Sequence, residues 1–298
     1  MKEIYFIIVF TIICLSCQNN SEKKASSKNQ VKQNLKGQLE FPSPVSIPIP
    51  NFEGNVLPLK SKTFLTLKFA SKKKNQIIDD EDWFANNQIS LPSYTVYNEY
   101  RNIRGNLPIS IPLKYNEYII TDGFKYNTYN VFFYGVNFGE KRFAIITNEE
   151  NTEIKHFLDF KNFNFAPRTQ EGDEDYVFQS IQWAILENNV LFISHGHSTY
   201  AKSTFGKNAY ISAIDLETYK IIWTTEPLTC NSTFTIVNNS IICGYGFTDE
   251  TDYLFVLDKN TGARIQKIKL DTGPSYIIQK DNKILVRTYD QDCVFYIN

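Results

Sequence analysis

The chain has 298 residues, of which 42% are hydrophobic and 15% aromatic, and its formal net charge is −1. That length admits one or two domains, with ample Phe, Tyr and Ile for a packed β core. The near balance of charge excludes a broad basic surface, so nucleic acid is not an expected partner.

Residues 4–13 are an apolar run too short to span a bilayer, and they lead into Leu15-Ser16-Cys17. This order resembles a bacterial lipobox, with Cys14 where leucine is commonest. The resemblance implies a signal peptide of residues 1–16, cleavage before Cys17 and acylation of that cysteine; several acyl chains would hold the protein at a membrane. A plain signal peptide cut elsewhere is the other reading. Residues 17–40 then form a tether, with Ser, Asn, Gln and Lys in place of anything that could build a core. Residues 41–298 are expected to be the folded domain. Its first stretch, 41–50, is proline-rich and should lie extended along the domain as it enters.

From residue 55 onward short apolar runs alternate with polar turns, at 63–69, 94–97, 109–113, 118–121, 130–134, 142–147 and 154–160. None shows sustained helical periodicity. The lysines at 72–74 read as a solvated hairpin turn. Residues 161–175 read as an insertion carrying an acidic loop at 171–175.

Toward the C-terminus a cassette repeats. Tyr210 to Asp215 is an alternating strand, followed by Thr218, Tyr219 and a second strand ending in Trp223. Tyr253 to Asp258 is followed in the same way by Thr261 and Gly262. The aspartates lie 43 positions apart, and a period in the forties in strand-like sequence is that of a propeller blade. Asp and Thr side chains accept hydrogen bonds from turn amides, and the last turn position requires positive φ, which suits Gly262 and costs Tyr219. Upstream, Asn188-Asn189 and Asn238-Asn239 mark matching turns between two further strands. A third unit, 276–297, ends after three strands, so a strand between Asn55 and Lys68 is expected to complete it and remove a free edge. The count comes to about 18 strands, or four to five blades with five preferred.

These cassettes resemble the repeats of pyrroloquinoline-quinone-like β-propellers, well over 181–298 and weakly over 109–160. The resemblance implies an all-β propeller of four-stranded antiparallel blades and says almost nothing of function. A quinoprotein dehydrogenase would need more blades, and often adjacent cysteines over its cofactor. No cofactor is expected.

His195-Gly196-His197 places two imidazoles two apart on a strand, facing one way. A metal would need a third ligand, which the chain does not offer there, so no metal is expected. The matching positions in the next unit are Tyr245 and Phe247, which suggests a ring-lined strand end. With Tyr200 and Phe205 from the long loop 198–208, His195, His197, Tyr245 and Phe247 form the expected contact surface for a ligand or partner. The acidic loop 248–252 reads as a solvated rim. Cys230, Cys243 and Cys293 remain after the N-terminal pair, and a Cys230–Cys243 disulfide is one arrangement. No nucleophile elbow, phosphate loop or zincin motif occurs.

The expected function is therefore that of a non-enzymatic lipoprotein, at the outer membrane or cell surface, whose propeller binds an envelope protein or glycan. The alternatives are a hydrolase or lyase with carboxylates in the propeller channel, and a structural subunit of an envelope complex.

Overall fold

The short apolar runs pair into antiparallel sheets. A computed structural model of the chain describes residues 37–60, 63–75, 79–90, 92–94, 105–164, 177–178 and 180–298. Cys17, the run 95–97 and the acidic loop 171–175 lie outside the described residues. Three elements come first: β1 (Val45–Ser46), β2 (Leu67–Lys74) and a helix, α1 (Asp80–Asn86). The first sheet contains β3 (Lys114–Tyr115), β4 (Tyr118–Lys125), β5 (Tyr129–Asn137), β6 (Glu140–Asn148) and β7 (Ile154–Asp159), with β1 added in parallel beside β7. The second is β8 (Ser180–Glu187), β9 (Val190–Gly196), β10 (Tyr210–Asp215) and β11 (Lys220–Thr224). The third is β12 (Thr235–Val237), β13 (Ser240–Tyr245), β14 (Tyr253–Asp258) and β15 (Arg264–Lys269). The fourth is β16 (Pro274–Lys280), β17 (Lys283–Thr288) and β18 (Gln291–Ile297), with β2 antiparallel to β18.

The described residues thus form four sheets, one fewer than the preferred count. The run 109–113 forms turns instead of a strand, and the run 63–69 contributes only the start of β2. Leu107 and Ile111 are buried against the first sheet as a covering layer. An early strand does complete the fourth sheet, but it runs Leu67–Lys74 and shares only Leu67 and Lys68 with the expected span 55–68. The chain before it is already committed, since Asn55 N–H donates to Thr224 C=O and Leu57 N–H to Thr261 C=O, both near the second and third sheets. Lys72, Lys73 and Lys74 consequently lie in β2, paired with Cys293, Asp292 and Gln291, and do not form a hairpin turn.

The cassette turns close as their residue types require. Thr261 Oγ1 donates to Asp258 Oδ1 at 2.7 Å, and Gly262 takes φ +74° with Trp223 against its α-carbon. In the other copy Thr218 Oγ1 donates to Asp215 Oδ2 at 2.7 Å, and Tyr219 accepts φ +56°. The tyrosine's strained backbone is offset by a hydrogen bond at 3.1 Å between its hydroxyl and His156 Nδ1 of the first sheet.

Burial explains why several strands do not alternate. The second sheet shares one apolar core with the first and the third, so β9 is buried along nearly its whole length. Each fully buried Phe, Leu or Ile in that core contributes about 1.5–3 kcal/mol relative to exposure. A second core joins the third sheet to the fourth, where Leu67 N–H donates to Gln266 Oε1 at 2.7 Å and Gln266 Nε2 returns a bond to Leu67 C=O at 2.9 Å.

Helix α1 was not expected from periodicity. Asp79 caps it by accepting from Glu81 N–H at 2.7 Å, and acidic residues fill its first turn. Its Trp83 and Phe84 pack on Tyr276 of β16, while Arg287 of β17 donates through Nε to Asp80 Oδ1 at 2.8 Å. The chain then reaches β4, where Tyr94 N–H donates to Gly123 C=O at 2.7 Å. Residues 79–90 therefore lie at the fourth sheet and residues 92–94 at the first.

Candidate functional site

In each sheet, the second and third of four consecutive strands are joined at the same end. Those connections are the tight loop between β5 and β6, residues 197–209 between β9 and β10, residues 246–252 between β13 and β14, and Tyr289-Asp290 between β17 and β18. Contacts run from loop to loop. Lys141 N–H, just past the first loop, donates to Ser180 Oγ at 3.2 Å, at the strand end beside the second. Ala201 N–H of the second loop donates to Glu250 Oε1 of the third at 2.9 Å, and Tyr200 meets Phe247 edge-to-face at 4.8 Å. The third and fourth loops line one cleft of about 850 Å³, with Phe247, Asp249, Glu250 and Asp252 on one side and Tyr289 on the other.

The expected contact residues divide into two groups. Phe205 is 72% exposed at the tip of its loop, Tyr200 is half-buried, and Phe247 is half-buried against it. His195 and His197 are interior, against the expectation that they belong to the contact surface, whereas Tyr245 is buried but lines a cleft between the second and third sheets. The reason is the length of the loop 197–209, which folds back over its own strand ends. His195 lies between Tyr210, stacked at 5.3 Å, and Phe163 at 4.6 Å, with its Nε2 2.9 Å from Ser212 Oγ. Burial pushes its pKa down to about 3, so the ring is neutral. His197 Nε2 sits 2.7 Å from Thr204 Oγ1, and Asn208 Oδ1 accepts from His197 N–H at 2.7 Å. The two imidazoles thus hold separate partners and do not converge on a common point. Among the described residues no group of three His, Cys, Asp or Glu side chains could hold a metal.

Asn208 is the residue that sequence reasoning missed. Its side chain bonds His197, Thr199 and the Ala209 N–H, and so pins both ends of the long loop. A single Asn in a polar loop carries no period to mark it. The one available hint was Gly196, where a side chain would strike Asn208 Oδ1 at 2.7 Å.

Tyr245 points its hydroxyl at Glu250 Oε2, so Glu250 joins the second loop to the third sheet. Burial first, and then the Glu250 carboxylate, raise the Tyr245 pKa. Burial and the same carboxylate raise that of Asp252. Beneath this latch a cleft of about 550 Å³ separates the second and third sheets, floored by Tyr253, Phe255, Arg264 and Lys267. Both cations cover ring faces, Lys267 Nζ over Tyr253 at 3.7 Å and the Arg264 guanidinium over Phe255 at 4.6 Å.

Three of the four loops or their edges carry a large side chain into solvent. Phe138 is 57% exposed, Phe205 72% and Tyr289 81%. Phe247 is the half-buried member at the corresponding loop of the third sheet. Burial was not legible residue by residue, so the sequence did not single out Phe138 or Tyr289.

No family model and no curated protein sequence matches the chain. Among solved structures it is similar to BamB from Moraxella catarrhalis, at 8% identity and a TM-score of 0.30, over 62% of this chain and 71% of that one. A likeness so distant assigns neither fold nor activity. Among the described residues no helix is long and apolar enough to cross a membrane.

Proposed function

We propose that the four sheets are blades of a small β-propeller that serves as a non-enzymatic scaffold, binding a partner protein through its loop face. The ring reading is supported by direct packing of first on second, second on third and third on fourth sheets. It is supported also by helix α1, packed on the fourth sheet, and by Tyr94, bonded to the first sheet a few residues later in the chain. Strand β2 joins the two ends of the domain within one sheet, the usual way a propeller is fastened. A lipid on Cys17 and the tether after it would hold this domain at a bacterial envelope membrane.

The observation that carries the binding reading is the set of exposed rings at equivalent loop positions on separate sheets. Large apolar side chains raised on a polar rim are the anchors that protein interfaces use. Their distribution over several loops suits a broad protein surface better than a glycan held in one pocket. The triple variant Phe138→Ser, Phe205→Ser, Tyr289→Ser removes side chains that touch little of the core, so at about 0.5 kcal/mol or less for each its stability should stay within about 1.5 kcal/mol of the parent. In-cell cross-linking with the parent chain should give a defined adduct that the variant loses. An undiminished adduct from a folded variant sinks the reading.

A further inference from the structure

Strand β2 is the outer border of the fourth sheet, and its sequence, Leu-Lys-Phe-Ala-Ser-Lys-Lys-Lys, holds four lysines and no acid. Only Leu67 is buried, so Lys68, Phe69, Lys72, Lys73 and Lys74 all reach solvent. Two nearby carboxylates are committed elsewhere. Asp271 takes Lys72 at 2.5 Å, and Asp292, opposite Lys73 in the pairing, takes Arg287 at 3.4 Å. Among the described residues Lys68, Lys73 and Lys74 have no carboxylate partner. Cross-strand pairing carries the patch inward. Lys68 lies opposite Tyr296 of β18, and Tyr296 opposite Lys283 of β17, so the three share one face. Lys283 Nζ stands over the Tyr296 ring, 5.5 Å from its centre. Two rings are exposed among these cations, Phe69 at 53% and Tyr296 at 41%. In a chain whose formal net charge is −1, this is a local segregation of positive charge.

We propose that this edge of the fourth sheet docks on an anionic bilayer surface, its lysines at the lipid phosphates and Phe69 and Tyr296 at the headgroup boundary. An extended strand of this length offers a straight row of roughly 26 Å, so its cations can approach one plane together. That matters because attraction to a charged surface falls off within a Debye length. Lysine and tyrosine suit the position, since each joins an apolar body to a polar tip. A second copy of the chain is disfavoured, because its β2 would bring lysine against lysine. An acidic peptide added as a further strand would pair with the backbone of β2 and leave Tyr296, one strand inward, outside the contact. A flat polyanionic surface meets the edge strand and Tyr296 together. The lysines that keep other strands away thus attract a surface that needs no backbone pairing. This contact uses none of the loop-face residues and does not depend on acylation of Cys17.

The test is amine footprinting of the intact, folded chain, mixed with vesicles of phosphatidylcholine alone or of phosphatidylcholine and phosphatidylglycerol in equal parts. A lysine-acetylating reagent is added, and the rate at each lysine is read by mass spectrometry of the digest. On the anionic vesicles Lys68, Lys73 and Lys74 should react about fivefold more slowly than on the neutral ones, the factor equivalent to about 1 kcal/mol for each lysine. Lys114 and Lys220, exposed on strands of the first and second sheets, should react at one rate on both. Salt at about 1 M, which shortens the Debye length to about 3 Å, should abolish the difference. Any hold of the N-terminal region on a bilayer acts on the whole chain, and so falls on Lys114 and Lys220 as well. The proposal is overturned if the three β2 lysines react alike on both vesicles, if Lys114 and Lys220 are slowed as much, or if the slowing survives the salt. It is overturned also if soluble polyglutamate protects Lys68, Lys73 and Lys74 and anionic vesicles do not, which would make the occupant an acidic protein. None of these outcomes bears on the loop-face scaffold, which would stand or fall separately.

Discussion

The imidazole of His195 is fully enclosed, bonded at Nε2 to Ser212 Oγ, which in turn meets Thr224 Oγ1 at 2.9 Å. Its folded-state pKa is pushed down to about 3 by burial, whereas in an unfolded chain it returns to about 6.5. Between those values the unfolded state binds the proton and the folded state does not. The stability associated with the neutral ring is therefore complete above the unfolded pKa and is lost as pH falls below it. The expected cost is about 1.4 kcal/mol for each pH unit across that window. Denaturant titrations of the parent and of His195→Gln, run at pH values from neutral to mildly acid, should diverge below pH 6.5. Only the parent should show this component, so parallel curves would refute it. The pair His195 and His197 was expected on a shared contact surface because strand geometry points alternate residues one way. What the residues alone could not convey is that the following loop returns over them, since Asn208 and Thr204 act through contacts of no fixed spacing.

At the scale of elements, the repeated strands, their asparagine turns and the Asp-x-x-Thr closures were legible because each rests on local chemistry: a φ preference, a side-chain bond or a period of two. The first half was harder, because nothing local distinguishes a strand from an apolar covering segment such as 107–113, and α1 is too short to show a helical period. Strand β2 illustrates the difference. Its sequence, Leu-Lys-Phe-Ala-Ser-Lys-Lys-Lys, shows no alternation because only Leu67 is buried, with the remaining side chains outward. The strand is held by its backbone pairing with β18, by the Gln266 clasp and by the Leu67 side chain in the core. Lysines on the outermost strand also discourage pairing with another chain. Leu67→Ala should therefore cost about 2–4 kcal/mol, because it empties a well-packed site. Lys73→Ala should change stability by less than about 0.5 kcal/mol. Chemical denaturation of the two variants decides the point, and equal losses would mean that the core does not anchor this strand.

At the scale of the whole molecule, residues 39–57, with Leu67 beyond them, act as a strap that touches all four sheets in turn. Leu39 N–H donates to Ser110 C=O in the cover of the first sheet, and Ile47 N–H to Asp159 C=O at the end of β7. Phe52 C=O accepts from the buried Tyr210 hydroxyl of the second sheet at 3.0 Å. Asn55 closes a reciprocal pair with Thr224, its N–H donating to Thr224 C=O at 2.9 Å and its Oδ1 accepting Thr224 N–H at 2.6 Å. Leu57 N–H then reaches Thr261 C=O in the cassette turn of the third sheet, and Leu67 enters the fourth. The proline-rich start of the domain was expected to lie along it, and proline suits a path whose partners alternate in direction and spacing. A strap bonded to consecutive sheets cannot release one bond without loading the next. Its amides should therefore open with the sheets and not by local fraying. Native-state hydrogen exchange should find the N–H groups of Ile47, Asn55 and Leu57 protected to within about tenfold of the central amides of β9 and β13, a difference of about 1.4 kcal/mol in opening free energy. Exchange of those three amides a thousandfold faster than the strand amides would mean that the strap lies on the sheets without fastening them, and that the packed cores alone hold the four together.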